Sequence, residues 1–446
     1  MQITITDKKG ATLHTANKYC KEDISVMVKG EEINVEPSTE EQIIEGLFDK
    51  VTVSPIESEE LNIVPSAEEQ IKEGLFKKVT VAGDEDLVSS NIVQGANIFG
   101  IEGEAKASNA KITNGSYLFY NNARLDSVNE LIALCDNVTN TSNMFNGCTN
   151  LTELDLSMLD TSFVETMNHM FTSCSKLNSL NLSSFDTSRV TQFYNMFQNC
   201  SGLTELNLSG FNTSKVTTMY GMFNECQGLE RILGLSSFDT SSLVETIRMF
   251  RTCRKLTELD LSSFDFSNVN NTSYMFNNCS KLQTITANFN TSKVTDMSYM
   301  FSGCSALTEI SQLDTSSVTT MYFMFQSCGK LTTLPALNAD KVTNVWGVLV
   351  YTTELTNFGG LINLGKGYTQ KSSNYGNYSL NLPSSSKLTH ESLMNIINGL
   401  YDLNLTYDVA NGGTLYTQKV TLHPDALARL SPEEIAIATN KGWTVS

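Results

Sequence analysis

Val216-Thr-Thr-Met-Tyr-Gly-Met-Phe-Asn-Glu-Cys226 is the stretch whose reading decides the fold. Val216, Met219, Met222, Phe223 and Cys226 follow one another at steps of 3, 3, 1 and 3. That spacing places all five on one face of a helix of 3.6 residues per turn. The pattern recurs at Val138 to Cys148, Val190 to Cys200, Val269 to Cys279, Val294 to Cys304 and Val318 to Cys328. A strand-like Leu-x-x-Leu-x-Leu follows each copy, as in Leu203-Thr-Glu-Leu-Asn-Leu208. The chain is therefore an internal repeat, and its other features are read from that frame.

Units begin at Leu151, Leu177, Leu203, Leu229, Leu256, Leu282, Leu307 and Leu331, at spacings of 26, 26, 26, 27, 26, 25 and 24. In each, the leucines of the short strand point into the coil. A turn such as Ser183-Ser-Phe-Asp-Thr-Ser188 supplies Asp, Thr and Ser to cap a following helix start. A helix-like segment then returns Met, Met-Phe and Cys to the interior. One unit alone leaves a side of this face exposed, so units must stack. Stacked strands form a parallel sheet at about 4.8 Å per coil, and eight coils span on the order of 40 Å. One Cys per unit at one position (Cys148, Cys174, Cys200, Cys226, Cys253, Cys279, Cys304, Cys328) reads as a ladder of small buried residues rather than disulfides. No CxxC pair or Cys/His cluster is present to hold zinc.

These residues resemble the BspA-like leucine-rich repeats of bacterial surface proteins, with their Phe-Asp-Thr-Ser-x-Val-Thr-x-Met-x-x-Met-Phe signature. The resemblance covers residues 138–354 and implies an α/β solenoid with short parallel strands, helix-like convex segments and an adhesive or receptor-binding use. The chain departs from the signature at Leu229-Glu-Arg-Ile-Leu-Gly-Leu235, which carries an inserted residue, and at Val345 to Leu349, where Met-Phe becomes Val-Leu.

The chain has 446 residues and a formal charge of −18. That charge argues against nucleic acid, whose phosphates it would repel. The first 108 residues hold 21 Asp/Glu and 10 Lys/Arg, a net of −11. No apolar run is long enough to span a membrane. The opening Met1-Gln-Ile-Thr-Ile-Thr6 alternates like a strand and is not expected to be a secretory signal.

Residues 1–30 read as a small β module with strands at Gln2–Thr6 and Ile24–Val28 around a turn at Lys8-Lys9-Gly10. Residues 31–83 are a duplication. Ile33 to Val53 matches Leu61 to Val81 at an offset of 28, each unit running from a strand through a Pro-Ser turn to a closing Val-Thr-Val strand. Such units are too small for a core of their own and must dock on each other or on other copies, which makes a homo-oligomer an expectation. Residues 84–109 add Asn91-Ile-Val-Gln-Gly-Ala-Asn-Ile-Phe-Gly-Ile-Glu-Gly103 and a linker. Its glycines lack the Lys-Ser/Thr of a phosphate loop, so they read as turns. The repeated Glu-Gly-Leu-Phe-x-Lys-Val-Thr-Val and the Asn-Ile-Val-x-Gly-x-x-Ile-Phe-Gly resemble the N-terminal segments of phage tail and fibre proteins. That resemblance implies attachment to other virion proteins.

The solenoid is assigned to residues 110–354, with a helix from Asn129 to Cys135, and a capping region to residues 355–446. In the cap, Tyr368 to Tyr378 reads as a polar irregular excursion. His390–Leu400 reads as an amphipathic helix, Lys419–Leu422 as a strand and Trp443–Val445 as a final strand. Ser431-Pro-Glu-Glu434 is a capping box with Pro at the first helical position.

His14, His169, His390 and His423 lie far apart, and no nucleophile elbow, HExxH or Walker sequence is present. The expectation is a protein that is not an enzyme and uses no cofactor or metal. Two rows are candidate binding surfaces. One is aromatic: His169, Tyr194, Tyr220, Tyr274, Tyr299, Tyr322 and Trp346, whose rings suit glycans or a protein partner, although packing between coils is the favoured reading. The other is the polar strand face: Glu153, Asp155, Asn181, Glu205, Asn207, Glu258, Asp260 and Glu309, with Thr152 and Asn178 beside them. The pairs Glu153/Asp155 and Glu258/Asp260 recur with the repeat and read as a solvated face rather than a glycosidase acid pair. The function these features imply is a virion tail or fibre protein that binds a host cell-surface glycan or protein. A bacterial surface adhesin is the alternative, and a glycan-cleaving fibre enzyme a third reading.

Overall fold

The computed structural model describes short strands within the first 102 residues and then residues 111–123, 125, 132, 135–367, 379–405 and 418–446. The turn at Lys8, the Pro-Ser turns of the duplication, most of the Asn129 to Cys135 segment and Tyr368 to Tyr378 lie outside the described residues.

Near the N-terminus, β1 (Gln2–Thr6), β2 (Thr12–Asn17), β3 (Ile24–Val28) and β4 (Glu31–Pro37) form an antiparallel sheet in the order β2-β1-β4-β3. The closing strands of the duplicated units, β5 (Lys50–Thr52) and β6 (Thr80–Ala82), pair with each other, Val51 opposite Val81. A hairpin of β7 (Asn97–Ile98) and β8 (Ile101–Glu102) follows.

From β9 (Ile112–Asn114) and β10 (Cys135–Asn140) onward the chain winds into a parallel β-solenoid of about 12 turns with little helix. Cys135, expected in a helix, is the first residue of β10. One side of the coil carries β11 (Glu153–Asp155), β12 (Ser179–Asn181), β13 (Glu205–Asn207), β14 (Arg231–Leu233), β15 (Glu258–Leu261) and β16 (Thr284–Ala287). These pair in register by twos, β11 with β12, β13 with β14 and β15 with β16. Among the described residues no ladder joins β12 to β13 or β14 to β15. Further on, β17 (Thr333–Leu334) pairs with β19 (Asn357–Phe358), and β18 (Leu337–Asn338) with β20 (Leu361–Ile362).

The segment read as a helix is not one. Met222 N–H reaches back to Met219 O (3.2 Å), Asn224 N–H to Gly221 O (2.9 Å) and Cys226 N–H to Phe223 O (3.2 Å), closing three-residue turns. The N–H groups between them leave the coil. Gly221 donates to Ile247 O (2.8 Å), Phe223 to Met249 O (2.9 Å) and Glu225 to Arg251 O (2.7 Å) of the next coil. A helix would keep every one of these donors inside its own segment. Two left-handed residues per coil make the alternation possible, Gly221 (φ 56°) and Glu225 (φ 64°) here, Asn195 and Asn199 in the preceding coil. The inward set survives the change: Val216, Met219, Met222, Phe223 and Cys226 are all buried.

The core is a set of like-on-like stacks. Phe119, Phe145, Phe171, Phe197, Phe223, Phe250, Phe276, Phe301 and Phe325 lie ring on ring at 5.1 to 5.8 Å. Beside them runs the cysteine ladder, all of it free thiols. Each Sγ–H donates to the Phe carbonyl of the preceding coil, Cys200 to Phe171 at 2.9 Å and Cys226 to Phe197 at 2.9 Å. Burial pushes the thiols of Cys148, Cys226, Cys279 and Cys328 up to about 12, and the others well above their ordinary value. Since only the thiolate alkylates at a useful rate, iodoacetamide at pH 8 is expected to leave the repeat cysteines unmodified in the native protein. All should label in denaturant, a difference read by intact mass; full native labelling would place the ladder on the surface.

The Thr of Phe-Asp-Thr-Ser, expected to cap a helix, turns inward instead. Thr187 Oγ1 donates to Asn212 O (3.0 Å) and accepts from Asn212 N–H (2.7 Å) in the next coil, with the side chain buried. Thr161 makes the same pair of bonds to Asp186.

The strands at 357–358 and 361–362 still pair with the preceding coil, past the expected start of the cap at residue 355, and the elements read in the sequence beyond them are present. The helix α1 (His390–Gly399) starts at Thr389, whose side chain accepts from Ser392 N–H, and Ser392 Oγ in turn takes the Phe358 N–H of β19 (2.8 Å). Lys441 Nζ reaches the carbonyls of Asn398 and Leu400 at the far end of α1, both at 2.9 Å. A one-turn α2 (Pro424–Leu427) precedes α3 (Pro432–Asn440), which opens on the full Ser431/Glu434 capping box. A parallel sheet of β21 (Leu380–Leu382), β22 (Gln418–Leu422) and β23 (Trp443–Val445) completes the cap, with Trp443 buried and its indole N–H on Tyr401 O (2.9 Å).

Candidate functional site: an aromatic ladder and a polar strand face

The aromatic row occupies two registers. Tyr194, Tyr220, Tyr322 and Trp346 stand two residues before the second Met position, whereas His169, Tyr274 and Tyr299 stand one residue before it, at the left-handed site. The two sets still meet. His169 contacts Tyr194 at 5.3 Å, Tyr194 stacks on Tyr220 at 4.5 Å and 2°, and Tyr274 stacks on Tyr299 at 4.5 Å and 14°. Tyr299 continues to Tyr322 edge-on and to Phe323 face-on.

Arg248 fills the break between the halves. Its guanidinium lies 5.9 Å from the Tyr220 ring centre and 5.3 Å from that of Tyr274, and it donates to the Tyr220 hydroxyl at 3.1 Å. Sequence reasoning missed Arg248 and Phe323. Aligning the copies on Met-Phe would have put both in the ladder, at the position of Tyr274.

Face-to-face stacking consumes the π surfaces that a sugar ring would need. Burial and the neighbouring phenols raise the Tyr194 hydroxyl and push that of Tyr299 up to about 12, and burial lowers His169. The stacked faces of Tyr194 on Tyr220 and of Tyr274 on Tyr299 pack coil against coil, and the rings from His169 to Tyr322 are half-buried. Trp346, at the C-terminal end of the row, is the most open of them, with 42% of its surface exposed.

The strand face is open along its length. Glu153, Asp155, Asn181, Glu205, Asn207, Glu258, Asp260 and Glu309 are all exposed, as are Thr152 and Asn178. They divide by role. Asp155, Asn181, Asn207 and Asp260 close the corner after each strand by accepting the N–H two residues on, from Ser157, Ser183, Ser209 and Ser262 at 2.9 to 3.1 Å. Glu205 pairs with Arg231 of the next coil. Glu153, Glu258 and Glu309 have no ion-pair partner among the described residues.

Hydrogen bonds from Ser157, its N–H first and then its hydroxyl, lower the Asp155 carboxyl. Those from Ser262, hydroxyl first, lower Asp260. Asp160, Asp186, Asp239 and Asp265 at the opposite corner are held low in the same way by Ser162, Ser188, Ser241 and Ser267. A folded-state value below the unfolded one, about 3.9 for Asp, gives stabilisation that is present above pH 4 and lost as pH falls through the folded values. The urea midpoint is thus expected to hold between pH 7 and pH 5 and to drop below pH 4. A midpoint flat down to pH 2.5 would show that these corners contribute nothing. The groups are exposed, so the effect is small per residue and repeated along the coil.

Among the described residues no three His, Cys, Asp or Glu side chains converge on a point that would hold a metal ion. None of the described helices is long and apolar enough to cross a membrane.

A family model described as "Mycoplasma protein of unknown function, DUF285" matches residues 113–231, 195–309 and 283–362, which together run from 113 to 362. No curated protein matches the sequence significantly. Among solved structures, a leucine-rich repeat protein from Bacteroides ovatus ATCC 8483 is similar at 14% identity, over 90% of this chain and 100% of that one, with a TM-score of 0.26. Superposition that loose carries no argument about the site.

Proposed function

The chain belongs to the DUF285 family, and from that premise we propose a non-catalytic adhesion module that recognises a cell-surface glycan or protein through the outward residues of its strand face. One observation carries this reading. The repeats share what is buried and differ in what is exposed, so a rigid scaffold presents Glu, Asp, Asn and Thr side chains in a fixed array. The aromatic ladder supports it by contrast, since the Tyr194/Tyr220 and Tyr274/Tyr299 faces are stacked on one another.

The test is binding of the fluorescently labelled chain to candidate host cells. A chain carrying Glu153→Lys, Glu205→Lys, Glu258→Lys and Glu309→Lys should lose most binding, and one carrying Trp346→Ala should keep it. The reverse ranking would move the site to the turn side.

The surface that bears the module is a bacterial cell wall or a virion. The virion reading rests on the twice-repeated Glu-Gly-Leu-Phe-x-Lys-Val-Thr-Val and Asn91 to Gly103 motifs, with the first 105 or so residues attaching to other virion proteins. Absence of the chain from purified virions would sink it and leave the cell-surface reading.

A further inference from the structure

At the strand corners of the neighbouring coils an Asp or Asn side chain closes the turn, as Asn207 does on Ser209 N–H and Asp260 on Ser262 N–H. The coil that begins at Leu229 has Leu233 at that position, followed by the additional Gly234. With no side-chain acceptor available, the backbone turns through Gly234 (φ 88°) into a 3-10 turn at Leu235–Ser237. A Cβ on Gly234 would lie 2.4 Å from the Ser209 backbone N, so only glycine permits the approach. Leu233 is left 40% exposed. An open cleft of about 450 Å³ lies here, its lining including Glu230, Arg231, Leu233, Glu258, Asp260 and Thr286.

We propose that this cleft is a saccharide-binding site that takes an amino-bearing sugar. The proposal rests on the adhesion reading above and gives it a location and a ligand class. The volume lies within the roughly 300–1,000 Å³ of small-molecule sites. The carboxylates of Glu258 and Asp260 have no cation of their own among the described residues, whereas Arg231 is matched by Glu205 and Glu230 by Lys255. Of the charged residues that line the cleft, Glu230 and Arg231 cancel and Glu258 and Asp260 remain, a net of two negative charges in a chain of net −18, which attracts an ammonium group and repels acidic polymers.

Carboxylate oxygens and threonine hydroxyls in the lining suit the donors and acceptors of a sugar ring, and Leu233 offers an apolar edge to its C–H groups. An inserted peptide strand is excluded by the other side of the same coils. Phe223 and Phe250 remain stacked at 5.4 Å, and Phe250 and Phe276 at 5.8 Å, while a strand slipped between coils needs about twice the 4.8 Å strand spacing.

The experiment is calorimetric titration of the full chain with three hexasaccharides, of glucosamine, N-acetylglucosamine and galacturonic acid, and with hexalysine. The glucosamine hexamer is expected to bind, the N-acetyl form at least tenfold more weakly, and the galacturonate not at all. The double variant E258Q/D260N should lower the affinity tenfold or more. Leu233→Asn with Gly234 removed restores the ordinary corner and should abolish binding, and an unchanged melting temperature shows that both variants fold.

Hexalysine binding as tightly as the glucosamine hexamer, galacturonate binding, or affinity unaltered in both variants would each overturn the proposal. Cell binding separates it from the wider reading. Adhesion that survives both variants removes the cleft and keeps the adhesin, whereas cleft-dependent sugar binding without adhesion does the opposite.

Discussion

Replacing Phe223 by alanine is expected to destabilise the solenoid by about 3–5 kcal/mol, at the upper end of core truncations. The ring is fully buried and stacked on Phe197 at 5.8 Å and Phe250 at 5.4 Å. Its backbone cannot relax into the void, because the N–H is bound to Met249 O in the next coil and the carbonyl receives both Cys226 N–H and Cys253 Sγ–H. In an array stabilised by nearest neighbours a weak coil in the middle uncouples the two halves. Unfolding by urea should therefore lose its single sharp transition, and hydrogen exchange should quicken first in the coils on either side of residue 223. The terminal Phe119→Ala, whose ring stacks only on Phe145 among the described residues, should cost clearly less. Equal effects at the two sites would contradict the nearest-neighbour account.

Thr187→Val should cost about 1–3 kcal/mol although it conserves shape, because it leaves the part-buried backbone N–H of Asn212 without its acceptor. The same hydroxyl also supplies the donor for Asn212 O. Thr187→Ser keeps both bonds and loses only a methyl group, so it should recover most of the stability. A valine variant as stable as the serine one would reduce the threonine to a space-filler.

Much of this architecture was legible in the sequence, and the misreadings have identifiable causes. The 3, 3, 1, 3 spacing identified the buried residues, because chain that closes a turn every three residues returns side chains to one face as a helix does. The discriminating signal lay beside them. Asn195, Asn199, Gly221 and Gly303 occupy the left-handed sites and are residue types that tolerate positive φ. His169, Tyr274 and Tyr299 occupy the same sites in other coils and obscured the rule.

The helix assumption had two further consequences. It merged two registers into one aromatic row, and it assigned Thr187 and its counterparts to a polar cap when they are buried. The cap at the C-terminus, where Ser431, Pro432 and Glu434 carry purely local chemistry, was readable residue by residue. The insertion at Gly234 was visible as an extra residue. That a cleft lies there depends on the neighbouring coil's Ser209 and on Glu258 and Asp260, which no local pattern connects to it.

The pairing of strands by twos gives the two sides of the coil different hydrogen-bond protection. On the turn side every step from coil to coil is tied by a row of N–H···O bonds, such as Asn195 to Tyr220, Phe197 to Met222 and Asn199 to Asn224. On the strand side the ladder is interrupted after β12 and again after β14. Backbone amide exchange is therefore expected to be slower on the turn side than on the strand side of the same coils.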